Sequence, residues 1–348
     1  MRKRSNTQNL HNEREKAVLK AVVTDFVQTA LPVSSKQVQD KYISDISSAT
    51  IRNVMADLEG KGFLIQPHFS AGRIPTDNGY RQYVDSIIRF SLVQEAARRA
   101  IETELSEASS DMSFIMEKTS RLLSELTQEL AVVVAPKIMR GIFEKIDLIS
   151  VSGDRILVVI QIRSGLIRTI VLDIATEIKP HRLPLVASIL NERLYGVSLH
   201  EIIDTIGERF FDLTNDKIVS VLINKAHKVF NFNEPHIAKL SGTPHLMSKP
   251  DFTDVGKLGQ IVSEIENGTI IASIFANRKG KTGTSVSIGS ENENDSLFDF
   301  SVITKDYYIG DATGLVAVLG PKRMNYPQMI PLVEFMADQV TTIMNEKR

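Results

Sequence analysis

Residues 47–75, SSATIRNVMADLEGKGFLIQPHFSAGRIP, constrain this chain more than any other stretch. Ser47 and Ser48 are suited to cap a helix, because their hydroxyls accept bonds from the first free backbone N–H groups. Ile51, Val54, Met55 and Leu58 then recur at i, i+3, i+4 and i+7, one apolar stripe of a helix. Gly60 and Gly62 predict its end, since glycine enters the left-handed C-cap conformation without strain. Residues 63–65 read as a short strand, 67–73 as a loop, and Ile74 and Pro75 as the return. A helix followed by a hairpin whose tip carries Gly and Arg is the pattern of a recognition helix and a wing. At about 100° per residue, the side opposite the stripe is centred on Ala49, Asn53 and Ala56, flanked by Thr50 and Arg52. Small residues allow a helix backbone to approach a surface, and Asn and Arg bond bidentately to adenine and guanine edges. An ordinary solvated amphipathic helix would show the same face, so the preceding segment decides.

That segment predicts two further helices. Asn12 is positioned to cap a helix beginning at Glu13, with Glu15 three residues on in an N-x-x-E capping box. Leu19, Val22, Val23, Phe26 and Val27 supply its apolar face, and Pro32 stops it by pushing the preceding residue out of the α region. Ser34 or Ser35 caps a second helix running to about Tyr42, with Val38 and Tyr42 inward. Three helices and a hairpin make a winged helix-turn-helix, in which the third helix enters the major groove and the second crosses the backbone. Charge agrees: residues 1–90 carry 13 Lys and Arg against 9 Asp and Glu, and the remainder 28 against 33. A basic module on a mildly acidic body suits a polyanionic partner.

The rest of the 348 residues exceeds one average domain and predicts an α+β multidomain chain. Thr76 caps a helix with Tyr80, Tyr83, Val84, Ile87 and Ile88 inward, and a polar helical connector covers residues 91–110. A second amphipathic helix spans 112–130, with Ile115, Leu122, Leu123, Leu126 and Leu130 inward. The period then becomes strand-like at residues 131–135, 145–151, 155–162 and 167–174, the last three an antiparallel meander. Helical patterns follow after Pro180 and at 199–206, 216–230 and 254–276, with a short strand-like piece at 236–247. Strands at 284–288, 298–309 and 315–319 precede a final helix over 327–345.

The runs LHNEREKAVLKAVVTDFVQTALPVSSKQVQDKY, SSATIRNVMADLEGKGFLIQPHFSAGRIPTDNGYRQYVD, SVSIGSEN and LGPKRMNY closely resemble the heat-inducible transcription repressor HrcA family. The resemblance covers essentially the whole chain and is strongest at SATIRN (48–53) and HFSAGRIPT (68–76). Phe69 stands where the family has a smaller residue, often Thr or Ser, a difference that bears on wing-tip packing. The resemblance implies a winged helix-turn-helix in residues 1–90, a GAF-like α+β domain in 91–195 and 277–348, and an inserted dimerising domain in 196–276. It also implies a homodimeric repressor of chaperone operons. The operator would be the CIRCE inverted repeat, release would follow heat stress, and the GroE chaperonin would keep the repressor active. A two-fold operator needs two protomers at fixed separation. Helix geometry and the resemblance together assign base reading to Thr50, Arg52 and Asn53, and phosphate contacts to Lys36 and Ser48. Arg73 would reach the minor groove from the wing, with His68 beside it.

No catalytic constellation stands out, and no enzyme activity or cofactor is expected. The seven histidines, His11, His68, His181, His200, His227, His236 and His245, lack any close metal-ligand spacing. No phosphate-binding loop of the G-x-x-x-x-G-K-[ST] type occurs, nor a G-x-S-x-G elbow, and residues 310–314 read as a turn. The acidic loop at 291–296 lacks the spacing of a calcium site. The chain has no cysteine, which fits a reducing cytoplasm, and no apolar run approaches the roughly 20 residues that span a bilayer. Its basic start is followed by polar residues, unlike a signal peptide. A winged-helix regulator whose GAF-like half binds a small effector is the alternative reading.

Overall fold

Helix α1 (Glu13–Thr29) ends where Ala30 takes a positive φ ahead of Pro32. In α2 (Ser35–Lys41) a capping box closes the first turn: Gln37 N donates to Ser34 Oγ at 3.2 Å and Ser34 N to Gln37 Oε1 at 2.8 Å. Ser47 caps α3 (Ser48–Gly60), accepting from Thr50 N at 3.2 Å. Ile51, Met55 and Leu58 are buried against Val18, Leu19 and Val22 of α1 and Val38 of α2. Gly60 remains in the helix, and Gly62, at φ +78°, is the glycine that turns the chain out of it. Strands β1 (Leu64–Ile65) and β2 (Ile74–Pro75) pair antiparallel, with Ile65 opposite Ile74. Thr76 Oγ1 then accepts from Gly79 N at the start of α4 (Asp77–Ile87).

The structure, a computed structural model, describes residues 13–68, 71–87, 93–106, 112–137, 141–163, 167–174, 179–230, 238–252, 255–278, 283–310 and 312–346. The expected Asn12 cap, Phe69 at the wing tip, and His11 and His236 lie outside the described residues. Glu15 pairs with Lys61 Nζ at 2.7 Å, tying α1 to the end of α3.

The remainder is mixed α and β. Helices α5 (Glu95–Ser106) and α6 (Met112–Thr127) lead to β3 (Leu130–Lys137). Leu130, expected on the inner side of the helix, starts this strand instead, because Gln128 turns the chain at φ +55°. Next come β4 (Phe143–Ser152), β5 (Arg155–Ile162) and β6 (Ile167–Asp173), then α7 (Leu183–Leu194), α8 (Leu199–Arg209), α9 (Lys217–Asn224) and α10 (Ala226–Phe230). After them run β7 (Ala238–Ser241), α11 (Thr243–Met247), α12 (Val255–Glu266) and α13 (Thr269–Arg278). The chain closes with β8 (Ser285–Ile288), β9 (Phe300–Ile309), β10 (Ala312–Pro321) and α14 (Tyr326–Glu346).

The four central strands expected together divide between two sheets. One is antiparallel in the order β7-β3-β10-β9-β8, and the other is the meander β4-β5-β6. The five-stranded sheet shows the period-two alternation of a sheet covered on both faces. Ala131 and Val133 face the layer of α5, α6 and α14, which is continuous with the core of α1–α4. Leu130, Val132 and Val134 face Leu246 of α11, Ile261 of α12 and Ile270 and Ile274 of α13. The meander packs Ile146, Val158, Ile160 and Leu172 against α7–α10 in a separate cluster. The expected boundary at 195/196 falls inside that cluster, where Leu190 and Leu194 share a core with Leu199 and Ile202. Residues 238–276, expected to belong with the 196–230 helices, instead supply β7 to the five-stranded sheet and helices to its outer layer.

Candidate nucleic-acid interface

The first three helices hold one another through a small set of polar contacts. Asp25, fully buried on α1, receives Lys41 Nζ at 2.6 Å and the Tyr42 hydroxyl at 3.2 Å, which fixes the C-terminal end of α2. At the other end, Ser35 Oγ and Ser48 Oγ lie 3.0 Å apart and join the first turns of α2 and α3. Helix α2 is therefore held at one end to α1 and at the other to α3, by residues outside the exposed face of α3.

That exposed face carries Ala49, Arg52, Asn53 and Ala56, all open to solvent, as the helical period predicted. The side chains of Arg52 and Asn53 make no hydrogen bond to any other described residue, so their side-chain donors and acceptors are free for an external partner. Lys36 is exposed on α2 and His68 on the segment after β1. Between α2, α3 and the hairpin lies a cleft of about 430 Å³ lined by Val33, Ser34, Ser35, Arg52, Met55, Gln66, Ala71, Gly72 and Arg73. Arg52 thus stands at the border between the open helix face and the cleft.

The other expected contact residues are engaged inside the protein. Ser48 is half-buried and spends its hydroxyl on Ser35. Thr50 Oγ1 lies 2.9 Å from Ser47 Oγ in the cap. Arg73, assigned from sequence to the minor groove, donates Nε to Glu59 Oε2 at 2.9 Å and is tied through its backbone to Val33 in both directions. The structure therefore brings Arg52, Asn53 and Lys36 to one accessible side and makes Arg73 a link between the hairpin and α3. Sequence reading missed Glu59 and Val33. Glu59, an acid one residue before the helix-terminal glycine, was the available signal.

On the far side, α4 docks on the body. Asp77 accepts from Lys322 Nζ and from Ser290 N, each at 2.9 Å. Burial alone would raise this carboxyl, yet those two bonds hold it below its usual range. Arg81 reaches Glu291 Oε1 with Nε at 2.8 Å, pairs through Nη2 with Glu291 Oε2, and donates to the Val286 carbonyl. Among the described residues no helix is long and apolar enough to cross a membrane. Nor do three His, Asp or Glu side chains among them gather where a metal could sit.

Comparison with known proteins supplies the class. The model of the HrcA protein C-terminal domain matches residues 113–330. A heat-inducible transcription repressor HrcA from Chlorobium phaeobacteroides is 35% identical over 344 residues, covering 95% of this chain and 97% of that protein. The repressor of the same name from Prosthecochloris aestuarii is 35% identical over 346 residues, covering 96% and 97%. A crystal structure described as a hypothetical protein superposes with a TM-score of 0.65 over 97% of this chain and 99% of its own; at 22% identity it supports the fold alone. The relatives are transcription repressors, a class of regulator rather than of enzyme. The chain belongs to the HrcA family of heat-inducible transcription repressors.

Proposed function

We propose that the chain is a dimeric cytoplasmic repressor of chaperone operons. In this reading residues 13–87 act as a winged helix-turn-helix that lays α3 into the major groove of the CIRCE inverted repeat. The observation that carries the reading is the pairing of exposed, unengaged Arg52 and Asn53 on a helix whose opposite side is fully buried. These are the side-chain types that bond guanine and adenine edges bidentately. Lys36 adds a phosphate contact from α2.

The five-stranded sheet with its helical layers is the GAF-like part of the proposal, and residues 142–230 are the inserted dimerising unit. Support for the second assignment is the open face of the meander. There Ile149, Val151, Ile167 and Val171 are about half exposed or more, and no described helix covers them. A second copy of the chain would cover that apolar face and hold two α3 helices at the spacing a two-fold operator needs.

Heat release follows from marginal stability, since a margin of roughly 5–15 kcal/mol vanishes over a few tens of degrees. Unfolding would free the operator, and the GroE chaperonin would return the chain to its DNA-binding state. A gel shift on a labelled inverted repeat, competed with a single half-site, tests operator choice and dimerisation together. Retention of the inverted repeat against excess half-site supports the proposal. Equal competition by the half-site, or by unrelated duplex, removes it.

A further inference from the structure

The motifs SVSIGSEN and LGPKRMNY lie far from α3, and the reading of DNA does not by itself account for them. In the structure they converge on α4. Asp77 sits at the first position of that helix, its two oxygens divided between Lys322 of the second motif and the backbone N–H of Ser290 in the first. Gly289 comes so close to this carboxylate that a Cβ there would meet Asp77 Oδ2 at 2.3 Å, and its φ of +53° disfavours other residues. One turn on, Arg81 forks onto Glu291 and also bonds the Val286 carbonyl. Between them Tyr80 packs its ring 6.2 Å from that of fully buried Tyr326. The residue after Lys322 extends the dock to α1, with Arg323 Nη1 directed at the Val27 carbonyl at 3.3 Å while its other nitrogens hold Asp251 at 2.7 Å.

Of the helices gripped in this way, α1 packs directly against α3 and α4 packs against α1 and β2, and neither shares the exposed face of α3. We propose that Asp77 and Arg81 are positioning residues: their bonds to Lys322, Ser290 and Glu291 fix the direction of α3 relative to the body, and so set the half-site spacing the dimer accepts. The inference rests on the dimeric-repressor reading above. A bidentate Arg–carboxylate pair and a carboxylate bonded from two directions resist rotation, whereas an apolar contact alone would let the module pivot. The two motifs are thus a mount for the DNA-reading module, and their chemistry is directed inward.

The test uses the full-length protein with Asp77→Lys, Lys322→Asp and the two combined. Each is titrated against a single half-site and against inverted repeats whose spacer is lengthened or shortened by one and two base pairs. Each single variant is expected to lose tenfold or more on the natural spacing, to keep half-site affinity within about twofold, and to bind the spacer series almost evenly. The combined exchange should recover part of the loss and of the preference for one spacing, because it rebuilds the charge pair but leaves Ser290 N without its acceptor. If Asp77→Lys falls short of wild-type helical content, Asp77→Asn replaces it, which keeps an oxygen for Ser290 N and removes the charge pair. Three results overturn the proposal: equal losses on half-site and full operator, single variants that keep wild-type spacing preference, or single variants that bind the operator more tightly. If the wild type itself does not prefer the inverted repeat to the half-site, the dimeric-repressor reading falls as well.

Discussion

Arg73 and Glu59 form an ion pair at 2.9 Å that joins the hairpin to the last turn of α3, with their side chains only 19% and 34% exposed. The pair draws the guanidinium toward the protein and leaves Arg52 as the arginine of this module that stands free on the open face of α3. In the proposed complex Arg73 acts on DNA indirectly, by holding the wing at its angle to the helix.

This yields a separable expectation for Arg73→Ala. A partly exposed pair contributes up to about 1 kcal/mol, so the melting temperature should move little and operator affinity should fall by about tenfold or less. The salt dependence should keep its slope, because no phosphate contact is lost. A slope smaller by about 1 in a plot of log K against log salt would instead assign Arg73 to a phosphate.

Gly72 is predicted to tolerate no side chain. A Cβ there would stand 2.4 Å from the Val33 carbonyl group, and the two backbone bonds between Val33 and Arg73 would have to open. Gly72→Ala should destabilise the module by about 1–3 kcal/mol and weaken operator binding, read from thermal melts and titrations on the same sample. An unchanged melt would show that the hairpin shifts without penalty.

What was legible beforehand follows from how local each signal is. The stripe Ile51, Met55 and Leu58, the serine caps and the outward Asn53 all depend on residues within one or two turns, and the structure agrees with them. The ion pair of Arg73 was not legible because its partner lies 14 residues back, beyond any periodicity. The docking of Arg81 on Glu291 spans 210 positions and left no trace in local pattern. The same holds for the sheets. Alternation in residues 131–135 and 155–162 announces which side chains share a face, yet it does not say that one strand pairs with β10 and the other with β4.

A buried acid supplies a pH prediction. Glu129, with its side chain 3% exposed, is pushed by burial from 4.5 up to about 7 despite its bond to Lys249 Nζ at 2.8 Å, and its Oε2 has no partner. Between those values the folded chain keeps a proton that the unfolded chain has released. This contribution to stability is therefore full below pH 4.5 and lost as pH rises through about 7. Over that window it amounts to about 1–3 kcal/mol. Glu129→Gln should flatten the corresponding fall in melting temperature between pH 5 and 8. An identical slope in the variant would assign the fall to other groups.

Heat release makes a prediction about recovery. Repressor warmed past its transition and cooled alone should regain only part of its operator affinity, and added GroE chaperonin with ATP should restore the rest. Complete recovery without chaperonin would remove that partner from the proposal.

The central claim is that Arg52 and Asn53 on α3 read the operator, and one titration tests it most directly. Wild type and the Arg52→Ala/Asn53→Ala double variant are titrated by fluorescence anisotropy onto the inverted repeat and onto a scrambled duplex, from 50 to 200 mM salt. The wild type should lose about 10³–10⁵ in affinity across that range, as expected for some 6–10 phosphates neutralised by the dimer. The double variant should keep the wild-type fold and lose at least tenfold in its preference for the inverted repeat, since each bidentate pair is worth about 1–3 kcal/mol. A double variant that discriminates as well as the wild type, or a wild type indifferent to salt, would contradict the account.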